Sequence, residues 1–336
     1  MRVAPLSLVF VSLIFSVGCG EQPASSGSVT QNSKKYLDMI PEDSNVLVYA
    51  NFQALRNSKF GSHVQNKFSE EITEDGDEEY LEFVEKTGLN VEKDVHEIWI
   101  SAYIDNDEDN QKGGAIVRAD YDRDRILAFM REKEDVSEIK IGSHTAYRIE
   151  EDHHGNSQPC LAFLNKETVA IGEVNWLEKV LIRGNGSILK NEEMTLLMSQ
   201  IPADDHAWGI FNIEKLADRW AHQIREHGSG FKGTKSIEKM QSVLISTRLS
   251  DQADILIEGA FATAEEATLL SEMLNGFKSL GKLMVSDDKE AIDMLNDIKI
   301  DVKGSKVQIT TRMQEDFFEK VEQKRKKFAN GGINIL

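Results

Sequence analysis

The sequence predicts an α+β protein of two tandem copies of one unit, each ordered strand, helix, hairpin, helix, hairpin, helix, with mostly antiparallel sheets and helices on one face. Three observations predict it. Residues 40–55, IPEDSNVLVYANFQAL, are echoed without a gap 161 positions later by residues 201–216, IPADDHAWGIFNIEKL, through Ile40/Ile201, Pro41/Pro202, Asp43/Asp204, Asn51/Asn212 and Leu55/Leu216. From Ile98 to Ile104 every even position is apolar, the period of a half-buried strand. The acidic stretch from Asp105 to Lys112 then turns the chain into Gly114-Ala115-Ile116-Val117, its hairpin partner.

The elements follow in order. Val46 to Asn51 reads as a strand. Pro41 and Pro202 are expected to start the strands of the two copies, where a missing N–H costs little, and Asn51 and Asn212 to stand where strand hands over to helix. From Gln53 to about Ile72, Leu55, Phe60, Val64 and Phe68 fall at helical spacing. A helix from Glu78 to Thr87 stops at Gly88, which suits the left-handed position after a helix. After the hairpin come a helix from Asp122 to Lys133, strands near 146–149, 160–164 and 169–172, and a helix through Trp176, Leu177 and Val180. The second copy gives a strand at 207–212, a helix at 213–227 and hairpin strands at 242–249 and 255–262. A capping box, Thr263-Ala264-Glu265-Glu266, opens a helix running to about Leu283; strands at 298–302 and 306–311 and a helix at 314–327 close the chain. The expected domains are 36–190 and 191–336.

The first eighteen residues, MRVAPLSLVFVSLIFSVG, set Arg2 before an apolar run from Leu6 to Val17. That run is too short for a bilayer-spanning helix, which takes about twenty residues, and suits a signal peptide over 1–18. It ends in Ser16-Val17-Gly18-Cys19, which resembles a bacterial lipobox, with Ser16 where Leu is commonest. The resemblance implies cleavage before Cys19 and acylation of its thiol by diacylglycerol, a palmitate-type anchor. Gly20, in place of Asp, implies no inner-membrane retention, so the expected site is the outer membrane, facing the periplasm or cell surface. Two or more acyl chains anchor stably where one binds marginally. Residues 19–35, rich in Ser and Gly, predict a flexible tether. Cys160 is the only other cysteine, so the fold has no disulfide within the chain to rely on.

Ile40-Pro41-Glu42-Asp43, then Gly88-Leu89-Asn90 leading into Asp94-Val95, then Gly113-Gly114 at the hairpin, make most of residues 36–190 similar to a family of uncharacterised exported bacterial proteins and lipoproteins. The resemblance supports the fold class and assigns no functional residue. The chain carries 57 acidic and 39 basic side chains, a net charge of −18, so nucleic acid and anionic lipid are poor general partners for its surface.

Several stretches match chemical motifs, and each also has a structural reading. Gly228-Ser229-Gly230-Phe231-Lys232-Gly233 has dinucleotide-motif spacing, but it follows a helical pattern instead of a strand and reads as a loop. Asp105, Asp107 and Asp109 match the first carboxylates of a calcium loop and are the weak metal candidates; Asn110 and Ile116 stand where that loop needs Gly and Glu, so no metal is expected. Asp152-His153-His154 lacks a third ligand at ligand spacing, and His222 and His227 are off the helical pair geometry. Cys160 reads as a small buried hydrophobe. Lys86-Thr87-Gly88 stands at a helix end, with no Ser-Asp-Asn in the chain, so it does not make a penicillin-binding site. Phe317, Phe318 and Val321, followed by Lys324-Arg325-Lys326-Lys327, read as a core-facing helix stripe with a basic end.

These observations predict an envelope lipoprotein held to the membrane through Cys19 and acting by binding, as a scaffold or a carrier of an apolar ligand. An envelope protein is the other expected partner; no cofactor, nucleic acid or catalytic residue is expected. The alternative is a lipoprotein hydrolase whose site is assembled from distant residues.

Overall fold

The computed structural model describes residues 31–63, 78–105, 112–133, 135–150, 159–182, 186–214 and 237–314. The signal segment, Cys19 and most of the tether lie outside the described residues, as do the bodies of the helices expected at 213–227 and 314–327. In chain order the elements are α1 (Gln31–Leu37), β1 (Val46–Asn51), α2 (Phe52–Asn57), α3 (Glu78–Thr87), α4 (Val91–Asp94), β2 (Val95–Tyr103), β3 (Lys112–Ala119) and α5 (Arg123–Lys133). Then follow β4 (Asp135–Ile141), β5 (His144–Glu150), β6 (Pro159–Phe163), β7 (Thr168–Glu173), α6 (Val174–Leu181), a 3₁₀ turn (Ile188–Lys190) and α7 (Glu192–Met198). The rest comprises β8 (Ala207–Asn212), β9 (Met240–Leu249), β10 (Gln252–Phe261), α8 (Ala264–Met284), α9 (Lys289–Asp297), β11 (Lys299–Lys303) and β12 (Lys306–Gln314).

The protein is α+β, and its strands form one twelve-stranded sheet in the order β11-β12-β10-β9-β8-β1-β2-β3-β7-β6-β5-β4, with antiparallel neighbours throughout. The halves of the chain meet edge to edge where β1 pairs with β8. Val46 lies opposite Phe211 and Ala50 opposite Ala207, so Val48 and Gly209, which correspond under the 161-residue offset, face each other. The flanking bonds follow the same relation: Asn51 N–H donates to His206 O and Asn212 N–H to Asn45 O, each at 2.8 Å.

The correspondence reaches back before the strands. α1 and α7 are seven-residue helices 161 positions apart. Ile40 N–H donates to Leu37 O and Ile201 N–H to Met198 O, each at 3.2 Å; Ser44 N–H donates to Pro41 O and Asp205 N–H to Pro202 O, again at 3.2 Å. The prolines therefore open a turn ahead of the strand instead of starting the strand itself, because the turn uses the proline carbonyl and asks for no N–H. Residues 31–35, expected as the end of the tether, belong to α1.

Two further expectations are corrected. The helix expected from 53 to 72 ends at Asn57: Ser58 is extended, and its Oγ accepts from Gly61 N at 2.9 Å, capping a new turn. Helices also cover both faces of the sheet. Leu47, Tyr49, Trp99, Ile116 and Ile210 pack with Tyr36 and Leu37 of α1, Trp176 and Leu177 of α6, and Met194 and Met198 of α7. On the opposite face, Ile98, Ala115 and Val117 pack against Phe52, Ile255 and Met313 against Leu55, and Val307 against Ala267 and Leu270 of α8. β1, β2 and β9 carry apolar side chains at both parities, so neither face suits open water.

Gly113 and Gly114, expected at the hairpin, lie inside β3 and have a packing role. Gly114 and Gly172 are paired across β3 and β7, and the Trp176 ring lies on the flat floor they make. A Cβ on Gly114 would stand 2.6 Å from Trp176 Cζ3, and one on Gly172 2.7 Å from Cε3. Trp176 Nε1 donates to the buried Ser101 Oγ at 2.9 Å, which fixes the ring in its plane. Gly114→Ala is expected to destabilise the protein by about 1–3 kcal/mol through overpacking, and Trp176→Ala in the Gly114→Ala background to cost less than the sum of the single changes. Chemical denaturation of the four proteins checks both.

Candidate functional site

The middle of the sheet, where β1 meets β8, presents different chemistry on its two faces. On the first, Tyr49 of β1 lies opposite both Trp99 of β2 and Trp208 of β8. The ring centroids are 4.2 Å apart for Tyr49–Trp99, 5.6 Å for Tyr49–Trp208 and 5.7 Å for Trp99–Trp208, the last edge to face; Tyr36 of α1 stacks on Trp99 at 6.2 Å. Such pairs add about 0.5–1.5 kcal/mol each beyond their burial. All four rings are buried, so this face is core. Burial, reinforced by the charge of Glu97, raises the Tyr49 phenol far above its ordinary pKa, and the hydroxyl stays a donor to Glu97 Oε1. Arg118 Nε holds the other oxygen of Glu97 at 3.1 Å.

The second face is apolar across the same junction. Val46 and Val48 are buried, whereas Ile100, Ala102, Phe211, Val243 and Ile245 are only half-buried. The registers Val48 with Ile100, Val48 with Gly209 and Gly209 with Ile245 make this a continuous strip over four strands.

Perturbed titratable groups gather at one end of β8. Burial raises the Asp205 carboxyl, with Ser246 and Arg248 opposing, and burial followed by Arg248 lowers the His206 imidazole. Arg248 and Arg312 both reach Asp254, at 3.4 and 2.9 Å. This set includes a serine, a histidine and an aspartate, but in an order unsuited to activating a nucleophile. The buried Ser246 Oγ lies by Asp205 without a hydrogen bond of normal geometry, and His206 Nδ1 accepts from Leu249 N at 3.0 Å. His206 corresponds under the offset to Asn45, whose Oδ1 accepts from Ile104 N at 2.9 Å. The registers Val46 with Ala102 and Ala207 with Thr247 make Ile104 and Leu249 counterparts too, so both side chains tie down the end of a neighbouring strand. The alignment of Asn45 with His206 was readable in the echo; Asp205 and the buried Glu258, held by Lys306 Nζ at 2.5 Å and Gln308 Nε2 at 2.6 Å, had no such signal.

Of the residues singled out from sequence, Asp105 follows β2 and hydrogen-bonds Tyr103, while Asp107 and Asp109 lie outside the described residues, as do Cys19, Asp152-His153-His154, His222, His227, the Gly228–Ser236 loop and the basic C-terminal helix. Cys160 is buried in β6, where burial raises its thiol. Lys86-Thr87-Gly88 closes α3: Gly88 has φ +74°, and Arg125 donates to the carbonyls of Lys86 and Glu85 at 2.8 and 2.7 Å, neutralising the helix end. Among the described residues, no group of three or more His, Cys, Asp or Glu is placed to hold a metal.

No protein-family model and no curated protein matches the chain. Among solved structures it is similar to three crystal forms of TP0453. Form III superposes with a TM-score of 0.46 at 8% identity over 86% of this chain and 97% of the other. Form I gives 0.42 at 9% over 88% and 98%, and form IV 0.41 at 9% over 85% and 95%. At these values the likeness carries no argument about function.

The lowered pKa of His206 sets a pH dependence. The folded state holds the neutral imidazole, so its contribution is complete above the unfolded value of about 6.5 and is lost as pH falls toward the folded pKa. His206→Asn, which places the side chain of Asn45 at its counterpart, is expected to retain the strand-end bond and to lose less stability than the parent between pH 7 and 5. His206→Ala is expected to cost about 1–2 kcal/mol at pH 7 by orphaning Leu249 N–H. Urea titrations across that pH range read both.

Proposed function

We propose that this is an envelope lipoprotein, anchored by acyl chains on Cys19, that acts by binding an apolar ligand. The observation that carries the reading is the apolar strip across the β1–β8 junction, where Ile100, Phe211, Val243 and Ile245 remain half-buried although the opposite face of the same strands is fully packed. Water disfavours such a surface by about 25 cal/mol for each Å² of apolar area exposed, so an apolar occupant is stabilised there. The hydrolase reading would rest on Asp205, His206 and Ser246, but His206 Nδ1 is occupied by Leu249 N–H and Ser246 Oγ makes no hydrogen bond to the imidazole, so the three are not arranged for acyl transfer.

Native mass spectrometry of residues 21–336, exported in a bacterial host, with analysis of the organic extract, is expected to find a co-purifying apolar molecule. Isolation of a bare chain would count against the carrier. The anchor is tested separately: Cys19→Ser is expected to abolish acyl labelling and to release the protein from the membrane fraction, and unchanged labelling would refute the anchor.

A further inference from the structure

The two ends of the β1–β8 junction are closed by matching sets of bonds. At one end Asn45 N–H donates to Ala102 O at 3.0 Å, Asn45 O accepts from Asn212 N at 2.8 Å, and Asn45 Oδ1 accepts from Ile104 N at 2.9 Å. At the other, His206 N–H donates to Thr247 O at 2.8 Å, His206 O accepts from Asn51 N at 2.8 Å, and His206 Nδ1 accepts from Leu249 N at 3.0 Å. The partners correspond one to one: Ala102 with Thr247, Asn212 with Asn51, Ile104 with Leu249. One residue therefore ties three strands together at each end.

The fold asks for a side-chain acceptor at this position, and only one half meets the demand with a titratable group. The Asn45 amide oxygen accepts at any pH, and Asn45 Nδ2 adds a bond to Ile104 O at 2.7 Å. The His206 ring accepts at Nδ1 only while it is neutral, with its proton on Nε2. Once protonated, both ring nitrogens are donors. Nδ1–H then faces Leu249 N–H, donor against donor, and the bond is lost.

The groups around His206 act on this step. Burial, then Arg248 of β9, oppose protonation of the ring, and Asp204 of the preceding turn favours it. Behind Arg248 stands Asp254 of β10, which Arg312 of β12 also reaches. Burial raises the carboxyl of the adjacent Asp205, so acid removes a charge there and adds one at His206. What the bond holds in place is apolar. Leu249 is buried on the second face with Phe60, Ala253, Ile255 and Met313, and Leu55 and Ile245 pack against them. Phe60 N–H donates to Ser250 O at 3.3 Å, and Asn51, bonded to His206 O, caps α2 by accepting from Ala54 N at 2.8 Å. The turn after α2 and the end of the β9–β10 hairpin thus meet at the His206 end.

We propose that His206 is an acid-sensitive clasp whose protonation opens the Leu249 end of the junction while Asn45 keeps the Ile104 end closed. Opening loosens the Phe60 cluster. Ile245 belongs to both that cluster and the apolar strip, so acid also frees one end of the strip; this last consequence alone rests on the ligand reading above. The closed state holds the neutral ring, and the open state regains the ordinary histidine value of about 6.5. Closure is therefore complete above that value and weakens as pH falls below it toward the folded value, by at most about tenfold per pH unit for one proton.

Hydrogen exchange of the full mature chain isolated from envelopes tests the clasp, with single amides resolved by mass spectrometry and rates corrected for the intrinsic effect of pH. Between pH 7 and 5 the protection of the Leu249 amide is expected to fall about tenfold while that of Ile104 in the same molecules holds, and His206→Asn is expected to abolish the difference. Equal loss at both amides is global unfolding and overturns the clasp, as does unchanged protection at Leu249. A loss that persists in His206→Asn belongs to another titrating group and overturns it as well. If that variant does not fold, exchange of the His206 C2 proton in the parent decides: a pKa below 6.5 supports the clasp, and one at or above 6.5 overturns it. These readouts do not depend on a co-purifying ligand, so failure of the carrier and failure of the clasp are told apart.

Discussion

The pairing of β1 with β8 is the constraint on which the rest of the architecture depends. Each of these strands would otherwise end a sheet with a row of unpaired N–H and C=O groups, and both are apolar on the face that holds Leu47, Tyr49, Trp208 and Ile210. Joining them satisfies the backbone and brings Tyr49, Trp99 and Trp208 into one cluster in a single step. The hydrogen bonds of Asn51 to His206 and of Asn212 to Asn45 close the two ends of the pair, so a shift of register would break both and turn the aromatic side chains to the wrong face.

With the centre paired, the sheet's exposed edges fall to β4 and β11, and both are protected by charge. β11 alternates Lys299, Asp301 and Lys303, and β4 carries Asp135, Glu138 and Lys140 on exposed positions. This distribution gives the scattered charge of the chain a local purpose: at the edges it discourages strand addition by another molecule. Cohesion comes from close packing, seen where Trp176 rests on Gly114 and Gly172, since Cys160 is buried in β6 as a free thiol and provides no cross-link.

The strands of the fold were largely legible because their hydrophobic period was strong. The run from Ile98 to Ile104, the hairpin of β9 and β10 and the capping box of α8 formed close to their expected bounds. β4 escaped because an edge strand alternates weakly, its half-buried Val136 and Ile139 being interrupted by Glu138 and Lys140. α1 and α7 escaped because seven residues give too little periodicity to read. The direction of assembly was also hidden: the echo at 161 residues announced corresponding strands, yet apolar residues at both parities fit a face covered by a sister domain as well as two halves joined edge to edge. The candidate site was less legible still, since the strip of Ile100, Phe211, Val243 and Ile245 is assembled from strands that neighbour each other only after the halves join.

The correspondence between the halves also separates what the fold needs from what is left for function. Where both halves place a residue in the same task, as Asn45 and His206 do at the ends of β2 and β9, the fold accounts for it, and the unusual pKa of His206 follows from burial of a structural hydrogen bond. Where the halves differ, the fold does not dictate the difference. β4 and β5 extend one end of the sheet only; α8 extends past its seat at the other, with α9 beside it.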